Sequence, residues 1–386
     1  MTAAAFIRSA FVVLALAAAT AGARADWPDP ALTAAETMPR ASKTLLLDGT
    51  RLHTGRLVLV GERGHVLLSD DGGGSWRQVE APTRSTLTAI DGAEAGDAVV
   101  AVGHDGVVLV SADLGESWRR VREEPFSPDN FGSDSNGSPL LDVLFLDDQR
   151  VLAIGAYSLL LFSDDAGASW RSAPFERQAA VAEDVADAAG TGASADAGPA
   201  AADSAEADGD GDDGGDAMLF SEDELTLDDE VNPHLNAVVR TGPQRLLMVG
   251  ERGTVFASPD DGASWQVLQL PYAGSMFGAL HLGDDGVLVF GLRGNAFQSD
   301  DHGRSWRPLD TGVQASLFAA ARGEDGALTL AGAEGAVLHR AAGEPKFTAS
   351  VFSLDNGETP VIADIVAGDA GLLLLGERGV APWRQP

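Results

Sequence analysis

No cysteine occurs anywhere in the 386 residues. Disulfides, thiolate metal sites, cysteine nucleophiles and a lipid anchor on an N-terminal cysteine are therefore excluded. Basic residues are scarce: 26 Lys and Arg stand against 58 Asp and Glu, a formal charge of −32. A chain so charged does not bind nucleic acid or anionic lipid through a generally basic surface. Histidine is sparse as well, with seven residues and no spacing that would serve a metal. Beyond the first 25 residues no stretch is long and apolar enough to cross a bilayer, which takes about 20 residues.

What is present begins with an export signal. Arg8 gives a positive start, residues 10–21 form a short apolar run, and Ala23-Arg24-Ala25 fits the cleavage pattern of small residues. Residues 1–25 are expected to be a cleaved signal peptide, with no membrane insertion afterwards. The Ala-rich, Lys-poor composition suits a bacterium, so export implies a periplasmic protein. Without disulfides such a chain must rely on its core, and a chain of this length can bury one. The acid is unevenly spread: residues 179–230 hold seventeen Asp or Glu and no Lys or Arg. Rich in Ala, Gly and Asp, that stretch reads as a disordered acidic insertion. Its Asp208-Gly209-Asp210-Gly211-Asp212-Asp213 run lacks the glycine and glutamate that a calcium loop places at positions six and twelve. No metal and no other cofactor is expected.

One unit recurs along the rest: an apolar run, Gly-x-x-Gly, a second apolar run, then Ser-x-Asp-x-Gly-x-x-Trp. Its first copy has Gly61-Glu62-Arg63-Gly64 followed by Ser69, Asp71, Gly73 and Trp76. The second has Gly103 with Ser111, Asp113, Gly115 and Trp118, and the third Gly155 with Ser163, Asp165, Gly167 and Trp170. The fourth has Gly250 with Ser258, Asp260, Gly262 and Trp265, and the fifth Gly291 with Ser299, Asp301, Gly303 and Trp306. Two degenerate copies start at Gly332 and Gly376. Successive first glycines lie 42, 52, 95, 41, 41 and 44 residues apart. A period of about 40–45 residues is that of a four-stranded propeller blade.

The physics of one unit agrees. Runs such as 98–102 and 107–111 are short, rich in β-branched residues and bounded by turn signals, as strands are. Gly-x-x-Gly is expected to supply the positive φ of a tight turn between the second and third strands. In the box, the Asp accepts backbone N–H bonds across the next turn, and the Trp opens the outer strand against a neighbouring unit. The expected fold is all-β: a seven-bladed β-propeller of four-stranded antiparallel blades, closed so that no sheet edge is left open. Blades are expected at about 41–80, 81–123, 140–178, 233–270, 271–310, 311–347 and 348–386. The last ends after its third strand, so residues 26–40 are expected to supply the missing outer strand.

Repeated Ser-x-Asp-x-Gly-x-x-Trp resembles the Asp-box (BNR) repeat of sialidases and several binding propellers. Combined with Gly-x-Arg-Gly turns in seven blades, it more closely resembles the photosystem II stability/assembly factor-like family, over residues 41–383 apart from the insertion. That resemblance implies a seven-bladed propeller acting as a non-catalytic assembly or scaffolding factor. For bacterial relatives outside photosynthetic organisms it also implies export and association with RND-type exporters. The partner would then be a membrane or periplasmic protein, bound by a monomer.

The boxes copied in every blade read as structural braces rather than metal sites. Arg63, Arg252, Arg293 and Arg378 share the third position of Gly-x-x-Gly and are the partner-binding candidates, since guanidinium forks suit carboxylates and acidic peptides. By strand order these turns open on the same face as the long connections that follow Trp118 and Trp170, and the boxes on the opposite face. Pairing with Glu62, Glu251 and Glu377 at the surface is the alternative, and such pairs contribute little. The connection at 125–139, with Phe126, Asn130 and Phe131, reads as an ordered loop able to touch a partner. A sialidase-like hydrolase would need a tyrosine nucleophile, and only Tyr157 and Tyr272 exist, neither in a pattern that marks one. No catalytic residue is assigned; carbohydrate binding or sialidase-like hydrolysis is the alternative function.

Overall fold

The computed structural model describes residues 29–125, 127, 137–173, 175, 177–178 and 232–384. The expected signal peptide, the acidic insertion with its aspartate run, and Phe126, Asn130 and Phe131 lie outside them.

Seven antiparallel sheets follow one another along the chain. The first contains β1 (Leu46–Arg51), β2 (Leu57–Gly61), β3 (Val66–Ser69) and β4 (Arg77–Val79). The second contains β5 (Leu87–Gly92), β6 (Val99–Gly103), β7 (Val108–Ser111) and β8 (Arg119–Arg122). The third contains β9 (Leu140–Phe145), β10 (Val151–Gly155), β11 (Leu160–Ser163) and β12 (Arg171–Ser172). In the fourth, β14 (Leu235–Gly242), β15 (Arg245–Gly250), β16 (Thr254–Ser258) and β17 (Trp265–Gln269) are joined by β13 (Arg177–Gln178), which runs parallel to β17. The fifth holds β18 (Met276–Gly283), β19 (Gly286–Gly291), β20 (Ala296–Ser299) and β21 (Arg307–Pro308). The sixth holds β22 (Leu317–Arg322), β23 (Leu328–Gly332), β24 (Ala336–Arg340) and β25 (Thr348–Val351). The seventh has three strands: β26 (Ile362–Gly368), β27 (Gly371–Gly376) and β28 (Gly379–Trp383).

First strands touch in ring order, β1 to β5, β9, β14, β18, β22, β26 and back to β1, so they encircle the axis. Four second strands are fully buried runs such as VVAVG (Val99–Gly103), and β15, β19 and β27 are buried beyond their first one or two residues. Apolar on both faces, they pack against the blades on either side. Seven apolar clusters result, one at each blade interface, including that between the last blade and the first. The described residues of 29–178 and 233–384 form a closed seven-bladed β-propeller. Each box tryptophan joins the cluster shared with the preceding blade: Trp118 the first–second, Trp170 the second–third, Trp265 the third–fourth, Trp306 the fourth–fifth and Trp76 the seventh–first.

Ring closure departs from expectation. Residues 29–40 form no strand, and the seventh sheet keeps three. Asp29 caps a short 3-10 turn, its carboxylate accepting the Ala31 N–H at 2.9 Å. The chain then lies along the first blade, where Ala35 N–H donates to the Ala81 carbonyl and Met38 N–H to Gln78 Oε1, both at 2.8 Å. Local hydrogen bonds to a neighbouring blade thus replace the strand pairing that poor strand propensity does not favour.

In the Ser-x-Asp turns the carboxylate is satisfied within its own loop. Asp260 Oδ1 accepts the Ser258 hydroxyl and the Ser264 amide, and Oδ2 accepts the Ser264 hydroxyl at 2.7 Å. The same pattern holds at Asp71, Asp113, Asp165 and Asp301. Bonds from the Ser75 hydroxyl and amide hold Asp71 at about 2. Asp260→Ala leaves these donors without their acceptor and is expected to lower stability by about 1–3 kcal/mol. The midpoint of urea unfolding reads this, and a midpoint equal to wild type would contradict it.

Candidate partner-binding face

Six of the seven turns between second and third strands share one backbone path, and the glycines in it serve two different needs. A Cβ on any first glycine, Gly61 through Gly376, would lie 2.0–2.4 Å from the carbonyl oxygen of the residue preceding that blade's first strand. The approach is close because the next residue's amide donates to that same carbonyl, as Glu62 N–H does to Leu45 at 3.0 Å. The first glycine is therefore extended (Gly61 φ −177°) and needed for contact, not for the positive φ expected from sequence. The positive φ expected of the motif is carried by its second glycine, as at Gly64 (φ 69°), and left-handed backbone falls on the third position as well: Arg63, Asp105, Tyr157, Arg252, Arg293 and Glu334, with φ between 54° and 58°. A side chain there stands at the outer tip of the turn, which is where all three of these arginines are exposed. The fourth glycine, also left-handed, tucks beneath the connection from the outer strand, with Thr83 O 2.0 Å from a Cβ on Gly64 and Tyr272 O equally close to one on Gly253. These turns and those connections consequently share one face. On the opposite face the Ser-x-Asp turns meet the first hairpin loops, Leu114 N–H donating to Asp97 O and Ala166 N–H to Gln149 O.

Around the ring the third positions read Arg63, Asp105, Tyr157, Arg252, Arg293, Glu334 and Arg378. The arginines therefore form two neighbouring pairs, blades four–five and seven–one, rather than one cluster. They also differ in freedom. Arg378 sits in a shorter turn and pairs with Glu358 at 2.9 Å. Arg63 reaches the Met38 sulfur at 4.0 Å. Arg252 and Arg293 make no ion pair among the described residues.

The glutamates beside them are used elsewhere. Glu62 accepts the Leu45 N–H, Glu251 the His234 N–H and Glu377 the Val361 N–H, at 3.4, 3.3 and 3.0 Å. Each returns a bond to the residue whose carbonyl its own amide holds, a two-way tie that braces the turn. The expected alternative, Glu–Arg pairing within the motif, is not what these side chains do.

Beside Arg252 a cleft of about 530 Å³ is lined by Phe256, Val267, Leu270, Pro271 and Tyr272. The Tyr272 hydroxyl donates to Leu292 O at 3.3 Å, and its ring lies against Phe297. Tyr157 is 52% exposed and meets His234 edge-on at 5.0 Å, with His234 3.7 Å from Glu251. Tyr157, which the sequence did not mark as a nucleophile, thus stands on the same rim as Arg252.

Sequence reasoning missed a second set of residues, on the inner strands. Asp48, Asp91 and Asp142 each accept their following residue's amide with one oxygen and, with the other, an amide of the next blade: Ile90, Phe145 and Val238, at 2.7–2.8 Å. Asp364 reaches from the last blade to Gly49 of the first at 3.1 Å. Four successive blade interfaces are tied in this way. The signal was an acid inside an apolar run, as in Leu46-Leu47-Asp48-Gly49. Burial pushes Asp91 up to about 6 and Asp142 to about 7.

The fold defines a class: seven-bladed propellers that present a rim of turns on each face. Among solved structures, YCF48 bound to a D1 peptide is similar over 92% of this chain and 94% of its own, at 15% identity and a TM-score of 0.57. YCF48 from Cyanidioschyzon merolae is similar over 89% of this chain and 97% of its own, also at 15% identity and TM-score 0.57. The WD40 β-propeller domain of Doa1 is similar over 91% and 94%, at 9% identity and TM-score 0.56. No family model and no curated protein matches. At such identities the likeness is one of fold.

Proposed function

We propose that the chain is an exported, periplasmic, non-catalytic scaffold that holds a membrane or periplasmic protein on its arginine-bearing face, with Asp-box blades of the photosystem II stability/assembly factor-like kind. An RND-type exporter is the partner proposed first. One observation carries the reading: Arg252 and Arg293 are exposed, unpaired among the described residues and on neighbouring blades, with Tyr157 on the same rim and a cleft beside Arg252. Guanidinium forks with no carboxylate partner among the described residues can take one from outside, and an aromatic neighbour supplies low-entropy contact area. The similarity to YCF48 bound to a D1 peptide supports the fold's suitability for holding a peptide.

The test is affinity capture from periplasm plus solubilised membranes, with wild type beside Arg252→Glu/Arg293→Glu and beside Arg63→Glu/Arg378→Glu. Capture of a protein by wild type, lost in the blade-four/five variant and retained in the other, is expected. Equal recovery by both variants overturns the arginine assignment. Recovery of glycans and no protein would favour the carbohydrate-binding alternative.

A further inference from the structure

Between the last blade and the first, two carboxylates converge on one donor. Gly49 N–H lies 2.8 Å from Asp48 Oδ1 and 3.1 Å from Asp364 Oδ2. Asp48 and Asp364 hold the same place in their strands, immediately after the register shift that each first strand shows, opposite Val60 and Leu375. The other Asp48 oxygen is committed to Ile90 N–H at 2.7 Å. Two carboxylates this close cannot both ionise without strong repulsion.

Among the described residues, the last blade also lacks the outer strand found in the other blades. At this seam an open cleft of about 530 Å³ separates β27 and β28 from the turn 71–76. Ties further out are the exposed Arg51–Asp369 pair at 2.7 Å, the Asp369 amide to Gly72 O, and Lys43 Nζ to Val380 O at 3.5 Å. The inner carboxylates are thus its most sheltered polar contact.

We infer that closure of the ring is a proton-dependent latch, in which Asp48 and Asp364 share one proton across the seam and the seam loosens when both ionise. The surroundings favour the shared proton. Burial raises Asp48 well above the usual carboxylate range, with the charges of Asp364 and Asp142 adding to it, and raises Asp364 to about 6. The one further charge acting on the pair is an acid as well, Asp142 on β9. Basic side chains on the first strands stand toward their C-terminal ends and are Arg51, paired with Asp369, Arg240, paired with Asp261, His281, beside Asp284 O, and Arg322. Charged forms are therefore disfavoured in the closed ring, and closure weakens as pH rises through about 6 and beyond.

Hydrogen–deuterium exchange of the full chain between pH 5.5 and 8.5, corrected for intrinsic rates, tests this. Protection in β1 and β26–β28 is expected to fall on the order of tenfold or more, one decade per unit of differential proton affinity, while β18–β21 changes less. Asp48→Asn, and separately Asp364→Asn, should remove the difference between the seam and blade five. Protection changing equally in every blade, or a seam effect that survives in either folded variant, overturns the latch. Should one variant fail to fold, the other decides. Should both fail, carboxyl ¹³C titration of the wild type decides, with two independent, ordinary titrations overturning the proposal.

Discussion

Gly332→Val is expected to abolish folding or to cost more than about 4 kcal/mol, the range reached when backbone and core are forced apart. A Cβ at this position would lie 2.0 Å from Ser316 O and 2.8 Å from Leu317 Cα. Neither obstacle is a side chain that can turn away. The Ser316 carbonyl is fixed by the Ala333 amide at 2.8 Å, and Leu317 is fully buried. Relief would require the first strand to withdraw from the second, which opens the cluster shared by blades five and six. Gly312→Ala is the matched control: its φ is +71°, but a Cβ there meets nothing within 4 Å. Left-handed backbone alone should cost it about 1 kcal/mol. Thermal and urea denaturation of the two variants separates contact from conformation, and equal losses would refute the contact argument.

Stability is expected to rise on acidification from pH 8.5 to 5.5, by roughly 5–10 °C in Tm. Asp91 and Asp142 are lifted by burial to about 6 and about 7, well above the ordinary value of 3.8. Between the ordinary value and the raised one, the folded chain holds protons that the unfolded chain has released. Stability is therefore full below about pH 4 on their account, and is lost as pH rises through about 6 and 7. Both side chains keep some access to the axis, which limits the effect. The aspartates of the Ser-x-Asp turns act oppositely. Asp71 is held at about 2, and Asp113, Asp165, Asp260 and Asp301 are lowered by the same serine bonds despite partial burial. Their contribution is present above about pH 4 and disappears as pH falls toward 2, so an optimum at mildly acidic pH is expected. Relief of the overall negative charge would also stabilise the chain on acidification. Asp142→Asn separates the two: it cannot titrate, so its Tm should vary less between pH 5.5 and 8.5. An unchanged slope in that variant would show that net charge, not the inner aspartates, sets the dependence.

Much of this was legible in the residues. Seven glycine turns, four of whose six spacings lie between 41 and 44 residues, carried the blade count, because each blade must solve the same hairpin and burial problem. Ser-x-Asp-x-Gly-x-x-Trp announced a self-contained turn, whose hydrogen-bond partners all lie within four residues of Asp260. Alternate faces for the boxes and the arginines followed from antiparallel strand order.

Other features depend on contacts that sequence order conceals. Glu62 sits next to Arg63, yet its carboxylate turns to Leu45, seventeen residues earlier, because the turn folds back on the first strand. Asp364 and Gly49 are 315 residues apart and meet only because the ring closes. The N-terminal segment found hydrogen-bond partners on the first blade, leaving the last with three strands. Local periodicity and turn chemistry by themselves determined the strands, the turns and their number, since those are decided within one blade. Closure, the pairing of the arginines around the rim and the burial of the inner acids were decided by the tertiary structure, because each arises where separate blades meet.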